Sequence, residues 1–321
     1  MLWHRIYENK NQKIIMAKNL YIDASHPSET RVVLKNNENI EDYEYESVNN
    51  TLIKNNIYLG KVSRIEPSLQ AAFVDFGRDR HGFLSFNDIQ SDYYQIPSSD
   101  LELLKAQEEK AREELIKESE KNDQQIIDGP EENLNKIDPI EKYESSNDVD
   151  EVKNVKKYPV KKYKIQEVIK PNQVILVQVL KDERGLKGAA LSTFISIAGK
   201  YIVLMPNTAK GGGISRKIFN PAERKKIRNI LNEIVIPSDM GIIVRTAGSN
   251  KTKNEIDGDL KNLITIWNSI KDNALNSIAP SLIHQESDII KRSIRDMYDD
   301  ETQNIIVEGN EGYQKTKSYM K

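Results

Sequence analysis

Residues 57–88 read IYLGKVSRIEPSLQAAFVDFGRDRHGFLSFND. Ile57–Ile65 and Ala72–Phe76 alternate apolar with polar residues, which is the period of half-buried strands. Between them Glu66-Pro67-Ser68 is a turn signal, because the proline ring fixes φ at its own position. After Gly77 the polar run Arg78-Asp79-Arg80-His81-Gly82 returns the chain to a further strand, Phe83-Leu84-Ser85-Phe86. Short strands, tight turns, aromatics and bases in one stretch predict a small barrel of the OB type.

Such a surface suits single-stranded nucleic acid. Tyr58, Phe73, Phe76, Phe83 and Phe86 offer flat faces for bases, and Lys61, Arg64, Arg78 and Arg80 can follow phosphates. The competing account makes these aromatics barrel core and the charges a solvated rim, since every small barrel is filled by such side chains. On pattern alone both accounts stand.

A length of 321 residues allows roughly two domains. The hydrophobic fraction of 38% is low and the charged fraction of 30% is high, so some segment is expected to lie outside any core. A net charge of −2 gives no global attraction for nucleic acid, and binding must rest on local patches. With no cysteine the chain can form neither disulfides nor thiolate metal sites, which fits a reducing cytoplasm. No apolar run approaches the ~20 residues of a membrane span.

The stretch from Gly60 to Phe86 resembles the S1 RNA-binding domain of the ribonuclease E/G family of bacterial endoribonucleases. The resemblance continues through DERGLKGAALSTFISIAGKYIVLMPN (182–207), GGISRKI (212–218), GIIVRTAG (241–248) and LIHQES (282–287). These blocks stand in the family's order and cover roughly Ala17 to Tyr313 apart from one insert. The resemblance implies an α+β chain: an OB-type S1 barrel inserted in an incomplete RNase H-like subdomain, with an α/β 5′-sensor region. The expected boundaries are an unmatched extension at 1–15, a first RNase H-like part at 16–52, the S1 domain at 53–192, the sensor region at 193–290 and a truncated second RNase H-like part at 291–321. Met16 is either the authentic start or the end of a genuine extension, and both readings stand.

Several local signals fit this order. Leu20–Ala24, Arg31–Leu34 and Ile40–Val48 read as strands, with Ser25-His26-Pro27-Ser28 as a turn. The barrel is interrupted at about 101–160, first by a charged helix-favouring stretch to Ile116, then by a polar one. From Lys121 to Val160 ten acids face six bases and three prolines break any period, the composition of a disordered excursion. Gln173–Leu180 is a buried strand that should close the barrel. Asn220 with Pro221 signals a helix start, followed by the stripe Ile227, Ile230, Leu231 and Ile234; a second helix carries Leu260, Leu263, Ile264, Trp267 and Ile270 as core. The block His284-Gln285-Glu286-Ser287 has the residue types of a catalytic group, but adjacency in sequence is not triad geometry, and its expected role is structural.

The resemblance also assigns sites. It implies that Phe73, Phe83 and Lys187 contact RNA. It further implies that Arg245 and Thr246 bind a 5′-monophosphate, with Gly199 and Val203 supplying the opposite wall and a backbone contact. The chemistry is apt, because an arginine fork pairs two phosphate oxygens and a threonine hydroxyl adds a directed donor. Family enzymes hydrolyse single-stranded RNA in rRNA processing and mRNA decay with Mg2+ held by paired aspartates in a DNase I-like subdomain. No segment here resembles that subdomain, and the adjacent acids Asp299, Asp300 and Glu301 read as a solvated helix end. No zinc link is expected either. Two readings follow: the RNA-binding N-terminal part of an endoribonuclease, whose homo-oligomeric assembly is doubtful for this chain, or a non-catalytic protein that binds single-stranded RNA. Either would work in the cytoplasm.

Overall fold

The computed structural model describes residues 18–47, 53–106, 163–183, 187–208, 213–237, 239–286, 288–299 and 301–320. They form a mixed α+β structure of two compact units, one drawn from Met1–Ile53 with Glu286–Lys321, the other from Lys54–Gln285. The first unit opens with an antiparallel meander, β1 (Lys18–Asp23), β2 (Glu29–Asn36) and β3 (Asn39–Ser47). Leu20, Ile22, Val32 and Leu34 are buried on one face, as their period of two requires. At the first turn the Asp23 carboxylate accepts from the Ser25 amide (3.1 Å) and hydroxyl (2.6 Å), the local bonding that lets a short polar residue start a turn.

The second unit begins with the barrel. β4 (Ile57–Glu66) runs into the 3-10 turn Pro67–Leu69, β5 (Ala71–Asp75) returns, and β6 (Gly82–Ser85) follows antiparallel. A helix α1 (98–106) starts the insert, whose remainder to residue 160 lies outside the described residues. The chain is next described from Tyr163, whose hydroxyl donates to Asp100 in α1, so the two ends of the insert meet. A one-turn helix α2 (Ile165–Val168) then leads to β7 (Val174–Lys181) and β8 (Ala190–Ser192). The order β4-β5-β6-β8-β7 is closed by pairing of β7 with β4, giving a five-stranded barrel in which the expected closing strand has its expected place. Val62, Ala72, Val74, Leu84, Ile175, Val177 and Leu191 fill it. Gly82 makes room for Leu191 of β8, since a Cβ there would collide with the Leu191 side chain.

Beyond the barrel come β9 (Ile197–Ala198), β10 (Ile202–Met205), β11 (Gly213–Ile214), α3 (Pro221–Glu233), β12 (Gly241–Val244), α4 (Lys253–Asn276) and β13 (Ser281–His284). Four of these strands form a small sheet in the order β11-β12-β10-β9, while β13 pairs with Ile57–Leu59 of β4. Asn220 caps α3 by accepting from the Ala222 amide at 3.0 Å, and Thr252 with Glu255 forms a capping box on α4. Leu260, Leu263, Trp267 and Ile270 of α4 pack with Ile202, Leu204 and Val244 of the sheet and with Ile57 and Ile283 of the barrel side. One core thus joins barrel and sheet, and each large aliphatic it buries contributes about 1.5–3 kcal/mol. Gln178 adds a polar joint: its buried amide donates to the carbonyls of Asn55 (3.0 Å) and Ser196 (2.8 Å) and accepts from the Ser196 amide (2.8 Å).

The chain then returns to the first unit with α5 (Ile289–Met297), β14 (Thr302–Glu308) and α6 (Asn310–Tyr319). β14 adds parallel to β1, so the sheet order is β14-β1-β2-β3. Ile289, Ile290, Ile294 and Met297 cover the apolar face of β1 and β2, and Arg292 ion-pairs with Glu44 at 3.0 Å. The sequence offered no stripe from which to expect α6, whose buried positions are Gly312 and Thr316.

Candidate nucleic-acid interface

Alternation along the barrel strands sorts the aromatics into two classes. In β5, Ala72 and Val74 point inward, which leaves Phe73 half-buried on the outside; in β6, Leu84 points inward and Phe83 outward. Phe73 and Phe83 are cross-strand partners, with ring centroids 6.0 Å apart at an interplanar angle of 77°. Phe76 and Tyr58 behave otherwise. They are buried at 1% and 5% exposure and meet edge to face at 5.1 Å, so the expectation that they offer faces to bases is overturned: they are core. Phe86, half-buried, stacks on the buried Tyr94 at 5.8 Å.

A bulge completes the outer patch. Val62 pairs with Val74, but the next pair is Arg64 with Phe73, so Ser63 is the extra residue. In an unbulged ladder Arg64 would stand opposite Ala72 and face the interior; with Ser63 bulged out, the guanidinium lies over the Phe73 ring, 4.4 Å from its centroid. Arg78 and Arg80 are exposed on the loop before β6. Lys187, exposed, is two residues from Ala189, whose carbonyl accepts from the Phe83 amide at 2.8 Å, and its backbone therefore runs beside the Phe83 edge. Two outward aromatic rings with a guanidinium over one of them have the chemistry of a stacking platform, since any base has a π-face and a cation can meet a phosphate.

The second set of expected residues converges on the β9–β10 turn. The Arg245 amide donates to the Tyr201 carbonyl at 2.8 Å, extending the β10–β12 ladder by one pair. Arg245 Nη1 donates to the Gly199 carbonyl at 2.8 Å, so the side chain reaches back across the turn. Thr246 is exposed and opens the 3-10 turn Thr246–Gly248. Val203 is half-buried between Ile243 and Ala198, on the face of β10 opposite the buried Ile202 and Leu204. Arg245, Thr246 and Gly199 are thus brought together, and Val203 pairs across the same hairpin with Ala198, the residue before Gly199.

Four neighbours were not singled out from sequence. Lys200 and Lys251 place their ammonium groups 5.7 Å and 5.5 Å from the Tyr201 ring, adding two cations beside Arg245. Asp259 of α4 accepts from the amides of Tyr201 (2.8 Å), Ile202 (3.1 Å) and Lys200 (3.4 Å). A helical acid at the edge of an apolar stripe was the only signal for it, three residues after Ile256 and four before Leu263.

The acids near the chain's last helices serve packing. Asp299 forms a 2.6 Å ion pair with Lys18 and accepts from the Thr302 hydroxyl at 2.8 Å, while Asp300 lies outside the described residues. Burial alone would raise the Asp299 pKa, but Lys18 and Thr302 outweigh it and hold the carboxyl below its ordinary value. Glu286 pairs with Arg295 at 2.7 Å and His284 sits in β13; Ser287 lies outside the described residues. Among the described residues no group of three or more His, Asp or Glu side chains is arranged to hold a metal ion. An ammonium on Asp299 is likewise a poor neighbour for a divalent cation, so these residues do not fit the Mg2+ that the family implies. Among the described residues no helix is long and apolar enough to cross a membrane.

Comparison with known proteins gives a consistent picture. A family model described as the Ribonuclease E/G family matches residues 196–321. Ribonuclease E of Haemophilus influenzae is 34% identical over 304 residues, which are 95% of this chain and 26% of that protein. Ribonuclease E of Escherichia coli is 34% identical over 291 residues, 91% of this chain and 22% of that protein. A putative ribonuclease E of Buchnera aphidicola subsp. Baizongia pistaciae is 32% identical over 303 residues, 94% of this chain and 59% of that protein. The chain therefore spans about a quarter of the length of the first two relatives. With the expected blocks, the barrel and these matches all in agreement, the chain belongs to the ribonuclease E/G family.

Proposed function

We propose that this chain supplies the RNA-gripping part of a ribonuclease E-type endoribonuclease acting in rRNA processing and mRNA decay in the cytoplasm. In this reading the barrel is an S1 domain that binds single-stranded RNA through Phe73, Phe83 and Lys187. A second site, Gly199, Val203, Arg245 and Thr246, binds the 5′-monophosphate of the substrate, and the first unit is RNase H-like. Hydrolysis needs a metal-held water and stabilisation of charge on the phosphorane oxygens, and no described residue is assigned that step.

The observation that carries the reading is the outward Phe73–Phe83 pair with Arg64 over one ring. Core aromatics cannot serve a ligand, whereas this pair leaves partly exposed faces beside cations. The test is titration of an unstructured oligonucleotide against the parent chain and the double variant Phe73→Ala/Phe83→Ala. Loss of about 1–3 kcal/mol of binding for each stacked base is expected, and unchanged affinity in a folded double variant would contradict the reading.

A further inference from the structure

The turn 199–202 brings three backbone N–H groups, those of Lys200, Tyr201 and Ile202, round to one point. Successive amides that converge in this way form an anion-binding concavity. The anion is supplied by the protein itself: the Asp259 carboxylate, presented from α4, uses Oδ2 for Tyr201 and Ile202 and Oδ1 for Lys200. Gly199 makes room for it, because a Cβ at that position would stand 2.6 Å from Oδ2 and 2.7 Å from Oδ1. The same turn carries the carbonyl on which Arg245 Nη1 rests at 2.8 Å, and the Tyr201 carbonyl that receives the Arg245 amide at 2.8 Å.

We propose that Asp259 is a positioning residue for recognition of a 5′-terminal monophosphate, acting through the 199–202 turn to fix the direction of the Arg245 guanidinium. This rests on the assignment of Arg245 to the terminal phosphate. A guanidinium gains from a phosphate only when its fork is aimed, and an arginine on a loose turn forfeits that advantage to rotamer freedom. Two of the three links in the relay are charged hydrogen bonds: carboxylate to turn amides, and guanidinium to the Gly199 carbonyl. The turn's own backbone is the third. Asp259 touches no part of the RNA in this scheme.

Asp259→Asn keeps the shape of the side chain but turns one acceptor oxygen into an NH2 group that faces amide donors, so at least one turn N–H loses its partner. The test is a pair of titrations on each variant, with one short oligonucleotide carrying either a 5′-monophosphate or a 5′-hydroxyl. The ratio of the two affinities is the readout, because a general structural weakening lowers both and cancels. The parent is expected to prefer the monophosphate roughly tenfold or more, and Asp259→Asn to fall to within about twofold of parity. Gly199→Ala provides a second route, since it retains the Asp259 carboxylate but displaces it from the turn amides, and the same collapse of the ratio is expected. A folded Asp259→Asn or Gly199→Ala chain that keeps the parental ratio overturns the positioning role and leaves the sensor assignment standing. A parent ratio near one overturns the sensor assignment, and the positioning role with it.

Discussion

Arg64 lies over the ring of Phe73, with its guanidinium carbon 4.4 Å from the ring centroid, because the bulge at Ser63 in β4 turns it outward. The contact keeps one face of a candidate stacking ring in register with a cation. A base that stacks on Phe73 meets that cation, so ring and arginine should act on RNA as a coupled pair.

Arg64→Ala should therefore weaken RNA binding and lower the salt dependence of log K by about 0.7, the release of one counterion from a single strand. Phe73→Ala should weaken binding without that change in slope. Titrations at several salt concentrations separate the two, and a slope unchanged in Arg64→Ala would show that its charge does not meet a phosphate.

Phe76→Ala offers the complementary case. Its ring is 1% exposed and packed on Tyr58, so its loss leaves a cavity and should cost about 3–5 kcal/mol of stability. RNA affinity of whatever fraction remains folded should stay at the parental value. Thermal melts and titrations on Phe76→Ala and Phe73→Ala side by side should thus give opposite profiles, one losing stability and the other binding.

A pH profile tests the Lys18–Asp299 pair in the first unit. The Asp299 carboxyl is held below its ordinary value of 3.8, so the stability it contributes is full above that value and is lost as pH falls through the lower folded one. Burial would lower the Lys18 pKa, but hydrogen bonds to Asp299 and Glu41 outweigh it and raise the ammonium above 10.5. Its contribution is present below 10.5 and is lost as pH rises through the folded value. Because Asp299 is nearly half exposed, the pair's worth is below about 1 kcal/mol. Asp299→Asn should flatten the acid shoulder of a Tm-against-pH curve and shrink the alkaline one. An acid shoulder identical to that of the parent would assign the loss to other carboxylates.

Much of this was legible from residue order. Alternation in 57–86 predicts the strands, and followed strictly it also separates Phe73 from Phe76, since Ala72, Val74 and Phe76 share one parity. Each of the two accounts of the aromatics holds for some of them, Tyr58 and Phe76 as core and Phe73 and Phe83 as outward rings, and period two divides them. Arg64 was not legible in the same way, because nothing in Val62-Ser63-Arg64 announces a bulge and parity sends Arg64 inward. Asp259 was hidden for another reason. Its partners are backbone amides some 57 residues earlier in the chain, and a backbone donor leaves no trace in side-chain pattern. α6 escaped because its inner face is made by Gly312 and Thr316, small residues that let the helix approach Ala24 closely without an apolar stripe.

The claim at the centre is that Arg245 and Thr246 read the end of an RNA. A 5′-monophosphate gives terminal oxygens to the guanidinium and the hydroxyl, whereas a 5′-hydroxyl leaves both without an anionic partner. Charged hydrogen bonds of this kind contribute about 1.5–3 kcal/mol, a preference of roughly ten- to a hundredfold. Long RNA masks the difference, since barrel contacts add equally to both ends, so the deciding measurement is titration of a short 5′-monophosphate oligonucleotide and its 5′-hydroxyl twin at one salt concentration. The expected result is a clear monophosphate preference in the parent that disappears in Arg245→Ala. Equal affinities in the parent, or a preference that survives in Arg245→Ala, would contradict it.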